Sequence, residues 1–284
     1  MIRNIIVIAT RVLVRNKIFS LINILGLSIG LSCALLILTV VKQHMTYDRF
    51  HENNEHLFCL QQKMDLGTGS YTTDRSGAAC GPALVDAFPE FTSYVRFSAP
   101  QEMLVSYIPS DSGKNEKPER KLFIEDAVMA VDSNFLSLFT FPTIAGDQVT
   151  ALLDPYSIVL TRKTAEKYFG NEEALNKSVT VNSKYAFIVT AIVEDPPITS
   201  SIQFDLLINF SFLKEFGYDL ESFDGNPFIT FLYMDDPLLA ESMDQKITEY
   251  LDDYQTEGIM ADQKLLSLKD YRNKGETRGG IFNT

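Results

Sequence analysis

The chain has 284 residues, a formal net charge of −12 and 45% hydrophobic residues. That length can build one or two cores of its own. So acidic a balance argues against nucleic acid or anionic lipid as the main partner.

The charge is unevenly spread. Residues 1–47 hold Arg3, Arg11, Arg15, Lys17 and Lys42 and no acid, a balance of +5, so residues 48–284 carry −17. In chain order, Ile2, Ile5, Ile6, Ala9, Val12 and Leu13 recur at helical spacing, with Arg11 and Arg15 one turn apart on another face. This predicts an amphipathic helix over 1–17 at an inner membrane surface. It would serve as a contact for a cytoplasmic partner or as an anchor with snorkelling arginines.

From Ile18 to Val41, 24 residues pass without Asp, Glu, Lys, Arg or His. As a helix that run spans about 36 Å, enough for a hydrocarbon core of about 30 Å. A signal peptide has an apolar region of roughly 7–15 residues followed by small residues. Here the run is longer, continues past Cys33, and is followed by Lys42-Gln43-His44-Met45. The reading is an uncleaved transmembrane helix over 18–42, single-pass as given. Basic residues favour the cytoplasmic side, so the N-terminus is placed inside and the acidic bulk outside, in the periplasm of a Gram-negative cell. Gly26 and Gly30 make a Gly-x-x-x-Gly step, and Ser28 and Ser32 repeat its spacing, as on a helix that packs against another.

The stretch HMTYDRFHENNEHLFCL follows. Tyr47 and Phe50 suit the interfacial belt. His44, His51 and His56 are the only histidines, and their spacing matches no standard metal-ligand pattern. They are expected as solvated side chains near a membrane surface. Cys59 and Cys80 fit either a bridge in an oxidising compartment or two small buried thiols.

Beyond, HLFCLQQKM reads as a strand, CGPALVDAF as a helix with Pro82 near its start and Pro89 beyond its end, and SYVRFSA as a strand. Residues 109–120 form a polar loop by composition. KLFIEDAVMAV has strand character and SNFLSLFTF that of a short helix or turn. SIVLTRKTAEKYFG reads as strand then helix, with Thr161 as N-cap and Gly170 as C-cap. SVTVNSKYAFIVTAIVED reads as a hairpin around Asn182-Ser183-Lys184, broken by Pro196-Pro197. IQFDLLINF and FITFLYM read as strands, MDQKITEYLDDY as a helix and QKLLSL as a last strand. The pattern is α+β rather than a sandwich or a doubly wound sheet.

No nucleophile elbow, His-Glu-x-x-His helix or phosphate-binding loop is present, so no catalytic residue, cofactor or metal is expected. Glu194-Asp195 and Asp235-Asp236 precede prolines. Adjacent acids on a strand point to opposite faces, so they read as solvated turns rather than acid–base pairs. FLSLFTFP reads as packed core rather than a ligand pocket.

The succession RNKIFSLINILGLSIGLSCALLIL, YDRFHEN, VDSNFLSLFTFPTIAGD, SIVLTRKTAEKYFG and VTAIVEDPPITSSIQFD closely resembles the MacB/FtsX-type ABC transporter permeases, especially the large ones common in Bacteroidetes. The resemblance runs over nearly the whole chain, with YDRFHEN and SIVLT…YFG its most specific parts. It implies a bacterial inner-membrane protein with a MacB-like periplasmic core domain over 43–284. A porter-like βαβ subdomain would take 44–105 and 215–275, and a mostly β, sabre-like insert would take 106–214. It implies a non-enzymatic permease subunit in which a separate cytoplasmic ABC ATPase moves the helices and the motion drives the outer domain. That mechanotransmission serves export of drugs, peptides or lipoproteins, or control of envelope enzymes. Further partners implied are the remaining permease helices or a second copy in a dimer, a periplasmic adaptor and an outer-membrane exit duct. Arg3, Arg11, Arg15 and Lys17 would set topology and touch the ATPase side. Gly26, Ser28, Gly30 and Ser32 would pack against a neighbouring helix. Such permeases carry at least three further helices after the core domain, and this chain reads as their N-terminal portion. Asn176 stands where relatives tend to carry Gly, and Asn tolerates the left-handed conformation better than most residues. NEHLFCL replaces a more usual run with Tyr and Arg. The rival readings are a single-pass periplasmic sensor or scaffold, and an envelope hydrolase, for which the sequence offers neither nucleophile nor metal site.

Overall fold

The structure, a computed structural model, describes residues 11, 13–65, 70–109, 120–225, 227–254 and 260–271. The chain divides into two compact units, Met1–Thr46 and Tyr47–Thr284. In the first, α1 runs from Lys17 to Thr46. Its stretch Lys17–Lys42 is long and apolar enough to cross a membrane, and none of the most apolar window is buried. Ile18, Leu27 and Leu36 stand exposed around its circumference. A helix apolar all round has no aqueous face, so its surface calls for lipid or another protein. The helix predicted over 1–17 lies largely outside the described residues, and Arg3 with it; Arg11 and residues 13–15 are helical, with a turn at Asn16.

The second unit is α+β. Among the described residues, thirteen strands join in one sheet. One part is built from β1 (Leu57–Asp65), α2 (Cys80–Ala87) and β4 (Phe91–Ser98), with two short strands, β2 (Ser70–Thr73) and β3 (Arg75–Ser76), between β1 and α2. Much later in the chain come β12 (Phe228–Met234), α5 (Ala240–Asp252) and β13 (Met260–Ser267). These strands lie in the order β4-β12-β1-β13, each antiparallel to its neighbour. That is a split βαβ arrangement. Leu84 of α2 and Met243, Ile247 and Leu251 of α5 cover Phe58, Leu60, Leu232 and Met234 of the sheet. The helical spacing of those α5 residues, four apart, is what buries one stripe.

Between β4 and β12 the chain makes β5 (Gln101–Tyr107), β6 (Lys121–Val131), α3 (Phe135–Leu138), β7 (Thr143–Gly146), β8 (Ser157–Thr161), α4 (Arg162–Phe169), β9 (Ser178–Val181), β10 (Tyr185–Val193) and β11 (Leu206–Asn209). Six of these strands follow β11-β8-β10-β9-β5-β6, and β11 pairs with β6 as well. The ring therefore closes into a small barrel and leaves no open edge among those six strands. Its interior is Val105, Val128, Ile158, Leu160, Val181, Phe187, Val189, Leu206 and Ile208, with Tyr168 from α4. A third cluster, rich in phenylalanine (Phe97, Phe135, Phe139, Phe141, Phe204, Phe231), lies where barrel and split βαβ meet. FLSLFTFP is thus packed core.

Local signals behave as their chemistry dictates. Thr161 caps α4 by accepting the Thr164 N–H, and Gly170 ends it at φ 62°. Asn182 and Ser183 turn the β9–β10 hairpin with φ of 49° and 57°, and Asn176 adopts φ 63°. IQFDLLINF differs from expectation: only Leu206–Asn209 is strand. Gln203 instead donates to the carbonyls of Pro197 and Ser200, and Asn209 caps a 3₁₀ turn over Phe210–Phe216. Gly146 in β7 has φ +87°, and a Cβ there would lie 2.3 Å from the Thr190 carbonyl oxygen. Gly146→Ala is expected to destabilise the domain by about 2 kcal/mol or more, from the left-handed strain plus the clash, read as a lowered urea midpoint. An unchanged midpoint would mean β7 does not hold this register.

Candidate functional site

The residues that follow α1 are fastened by several hydrogen bonds to distant loops. Asp48 is buried and adopts φ 54°, a conformation open to Asp because its short side chain bonds locally. Its N–H donates to the Thr199 carbonyl at 2.9 Å, and its Oδ1 accepts the Ser201 N–H at 2.7 Å. The Thr140 N–H donates to His51 Nδ1 at 2.9 Å. That places the ring proton on Nε2, which faces Asp48 Oδ1 at 3.9 Å. The Glu52 N–H donates to Thr140 Oγ1 at 2.9 Å, and Asn53 Nδ2 to the Leu138 carbonyl at 2.9 Å. Asn54 closes the turn by donating to the carbonyls of Arg49 and His51. The segment 48–54 is therefore tied to two loops, 138–140 and 199–201, that are remote in sequence. Networks of this kind hold one geometry where an unfastened linker would allow many.

His51 corrects a sequence expectation. It is 1% exposed rather than solvated. Its ring lies 5.2 Å from that of Phe139 and 5.3 Å from that of Phe141. Phe50, expected in the interfacial belt, is half-buried against His51 and Phe141. His56 is half-buried too, with Nδ1 2.8 Å from the Met234 carbonyl oxygen and its ring stacked on Tyr233. The side chain of His44 lies outside the described residues. The physical reason is that the FTFP turn folds over the segment and supplies a backbone donor to Nδ1, which holds the imidazole where water is excluded. Burial pushes the His51 pKa down to about 3 from 6.5. The folded value is the lower one. Between those limits the unfolded chain binds more protons, so the contribution of His51 to stability is complete above pH 6.5 and is lost as pH falls toward 3. The loss approaches about tenfold in the folding constant per pH unit. His51→Gln is expected to flatten the stability–pH curve against the parent chain in that window. Equal slopes in urea titrations of the two would refute a buried neutral imidazole.

A second fastening holds the other end of the described chain. The last described helix, α6 (Leu268–Tyr271), ends in Tyr271, whose Oη donates to buried Asp74 Oδ2 at 2.5 Å. Burial, then the neighbouring Cys59 and Asp74, push the Tyr271 phenol up, and Asp48 adds to the effect. Burial also raises the Asp74 carboxyl. Both fastenings thus belong to one buried region. Cys59 and Cys80 are separate buried thiols, in different clusters. Burial raises Cys80 to about 11.

A third contact joins barrel to split βαβ. There β4 and β6 share the single register pair Phe97↔Val131. Beside it Arg96 grips Asp132 with Nε to Oδ2 at 2.9 Å and Nη2 to Oδ1 at 2.8 Å, while the Arg96 N–H donates to Oδ2 at 2.7 Å. Arg96 Nη1 donates to the Ala78 carbonyl at 2.7 Å, and the guanidinium lies 4.3 Å from the centre of the Phe210 ring.

The sequence-predicted site residues are elsewhere. Arg11, Arg15 and Lys17 are exposed, as are Gly26, Ser28, Gly30 and Ser32 on α1. A Cβ added at Gly26 or Gly30 meets nothing within 4 Å. The adjacent acids serve turns and caps: Glu194 pairs with Arg162, Asp195 accepts the Lys163 N–H at 3.0 Å, and Asp236 accepts the Leu238 N–H at 3.0 Å. Among the described residues no cluster of three or more His, Cys, Asp or Glu could hold a metal.

Comparison with known proteins adds the following. The family described as MacB-like periplasmic core domain matches residues 20–250. Among solved structures, a domain of a protein assigned as a permease from Porphyromonas gingivalis is similar in fold, with TM-score 0.65 and 18% identity over 77% of this chain and 92% of that one. The extracellular domain of the ABC-type transporter YknZ from Gram-positive bacteria matches with TM-score 0.48 and 14% identity, over 72% of this chain and 99% of that one. The periplasmic region of MacB from Actinobacillus actinomycetemcomitans matches with TM-score 0.48 and 14% identity, over 78% of this chain and 94% of that one. No curated protein sequence matches the chain.

Proposed function

Because the chain belongs to the MacB-like periplasmic core domain family, we propose that it is the membrane-anchored, extracytoplasmic part of an ABC transporter permease. In this reading α1 crosses the inner membrane with its N-terminus in the cytoplasm, and residues 47–284 work in the periplasm. A separate cytoplasmic ATPase hydrolyses ATP, the helix moves, and the outer domain follows. The chain itself is non-enzymatic. Substrates of the exported kind are drugs, peptides or lipoproteins, and the further partners are other permease helices or a second copy, an adaptor and an outer-membrane duct.

The observation that carries the reading is the family match over residues 20–250, which begins within a helix long and apolar enough to cross a membrane. The test is purification of the chain from its own membranes in mild detergent after chemical crosslinking. Co-recovery of an ABC ATPase whose turnover changes when the permease is present is the expected result. Recovery with no ATPase across detergents would overturn the reading and favour a free-standing anchored protein.

Gly26 and Gly30 offer a separate check. A Cβ at either position meets no atom of another part of the chain within 4 Å. Gly26→Leu with Gly30→Leu should therefore leave the stability of the outer domain unchanged and weaken crosslinking between α1 and its neighbouring helix several-fold. Unchanged crosslinking would remove these residues from any helix interface.

A further inference from the structure

The two fastenings lie far apart in the chain, yet one row of rings connects them. His51, in the segment 48–54, sets its ring 5.2 Å from that of Phe139. Phe139 meets Phe231 of β12 at 5.4 Å, and Phe231 meets Tyr271 of α6 at 5.3 Å. All three contacts are edge-to-face, at 71°, 84° and 71°. The four residues are buried. An interior packed this closely has little slack, so a ring that moves must displace the next one.

The row touches both sets of hydrogen bonds. At one end, the backbone that carries the Phe139 ring also carries Thr140. Thr140 donates its N–H to His51 Nδ1 and accepts the Glu52 N–H on Oγ1, both at 2.9 Å. A shift of Phe139 therefore acts on two of the bonds that hold 48–54. At the other end, the bond from Tyr271 Oη to Asp74 Oδ2 fixes the last ring. Lys269 of α6 adds a surface tie, donating to Glu55 Oε1 at 2.5 Å, just beyond the segment. It is exposed and carries little weight. The barrel interior forms a cluster of its own, apart from this row.

We infer that segment 48–54 and α6 form one latch. The two fastenings open and close together through the row His51–Phe139–Phe231–Tyr271, while the barrel stays closed. The latch lies wholly within Tyr47–Thr284 and does not depend on the setting of α1.

The chain carries its own reporters. Cys59 is buried, with Sγ 4.0 Å from the Asp74 carbonyl oxygen, and Cys80 is buried in the separate cluster of α2 and α5. The test uses the full chain in detergent, with exposed Cys33 replaced by Ser. Iodoacetamide then reaches each remaining thiol only when its surroundings open. Tyr271→Phe keeps the ring and removes the bond to Asp74. It is expected to speed alkylation of Cys59 and, at the far end of the row, amide exchange of Thr140 and Ser201, each by about tenfold, within the range of couplings in one network. Asp48→Ala is expected to speed Cys59 alkylation in return. Cys80 and the Val189 amide should not change in either variant. If Tyr271→Phe exposes Cys59 and leaves Thr140 and Ser201 as they were, the fastenings are independent and the latch is overturned. No change at either end overturns it too. Equal acceleration of Cys59, Cys80 and Val189 overturns it in favour of global unfolding. Phe231→Leu interrupts the row without removing either set of hydrogen bonds. In that background Tyr271→Phe should no longer reach Thr140, and an undiminished effect there would overturn the route through the rings.

Discussion

Asp132→Ala is expected to cost the outer domain about 3–5 kcal/mol, the usual result of removing one partner from a buried ion pair. The side chains of Arg96 and Asp132 are 11% and 14% exposed. Three hydrogen bonds from Arg96 converge on the one carboxylate. Without it the guanidinium stays between Phe210 and the Ala78 carbonyl with its charge uncompensated. The loss is large beside a total domain stability of about 5–15 kcal/mol. It also falls where β4 and β6 share a single ladder pair, so the barrel should loosen from the split βαβ before either part melts. Asp132→Asn keeps the shape and one acceptor and should cost less. Urea unfolding followed by two probes, one in the barrel and one near α5, reads both effects. A loss under about 1 kcal/mol would place the pair among ordinary surface bridges and defeat the argument.

Asp48→Ala should cost about 2–4 kcal/mol. Part is the lost hydrogen bond, which leaves the buried Ser201 N–H without that partner, roughly 1–3 kcal/mol. The rest is backbone strain, since Ala gains nothing from φ near 54° where Asp is tolerated. Asp48→Asn retains both the acceptor and the tolerance and should recover most of the loss. The sharper readout is amide hydrogen exchange. In Asp48→Ala, Ser201 should exchange much faster while the barrel amide of Val189 keeps its protection, because the opening is local. If Ser201 exchange does not change, segment 48–54 is not held by this carboxylate.

Several elements were legible from local chemistry alone. Thr161, Gly170, Asn176 and the Asn182-Ser183 turn each solve a problem within a few residues, a free N–H or a positive φ, and the structure places each in that role. The alternating strand β10, with Phe187, Val189, Ala191 and Val193 inward, was visible for the same reason. β5 shows no clear period in the sequence although Met103, Val105 and Tyr107 face inward, because Leu104 between them is apolar too. His51 looks solvated from its neighbours alone, because its burial depends on Thr140, 89 residues away.

What the amino-acid order determined by itself is whatever depends on neighbours in the chain. That covers the uncharged run long enough to cross a bilayer, the basic flank and acidic bulk on either side of it, the α+β alternation, and the caps and turns. What only the tertiary structure decided is whatever requires distant segments to meet. Barrel closure needs β11 to find β6, with Leu206 opposite Val128. The fastening of Asp74 by Tyr271 spans 197 positions and that of Asp48 to Ser201 spans 153. Asp48, Asp74, Arg96, Asp132 and Tyr271 look in the sequence like any charged or aromatic residue of an acidic surface. Burial gives them their strength, because a polar group removed from water must be satisfied by a partner, and only the fold supplies that partner.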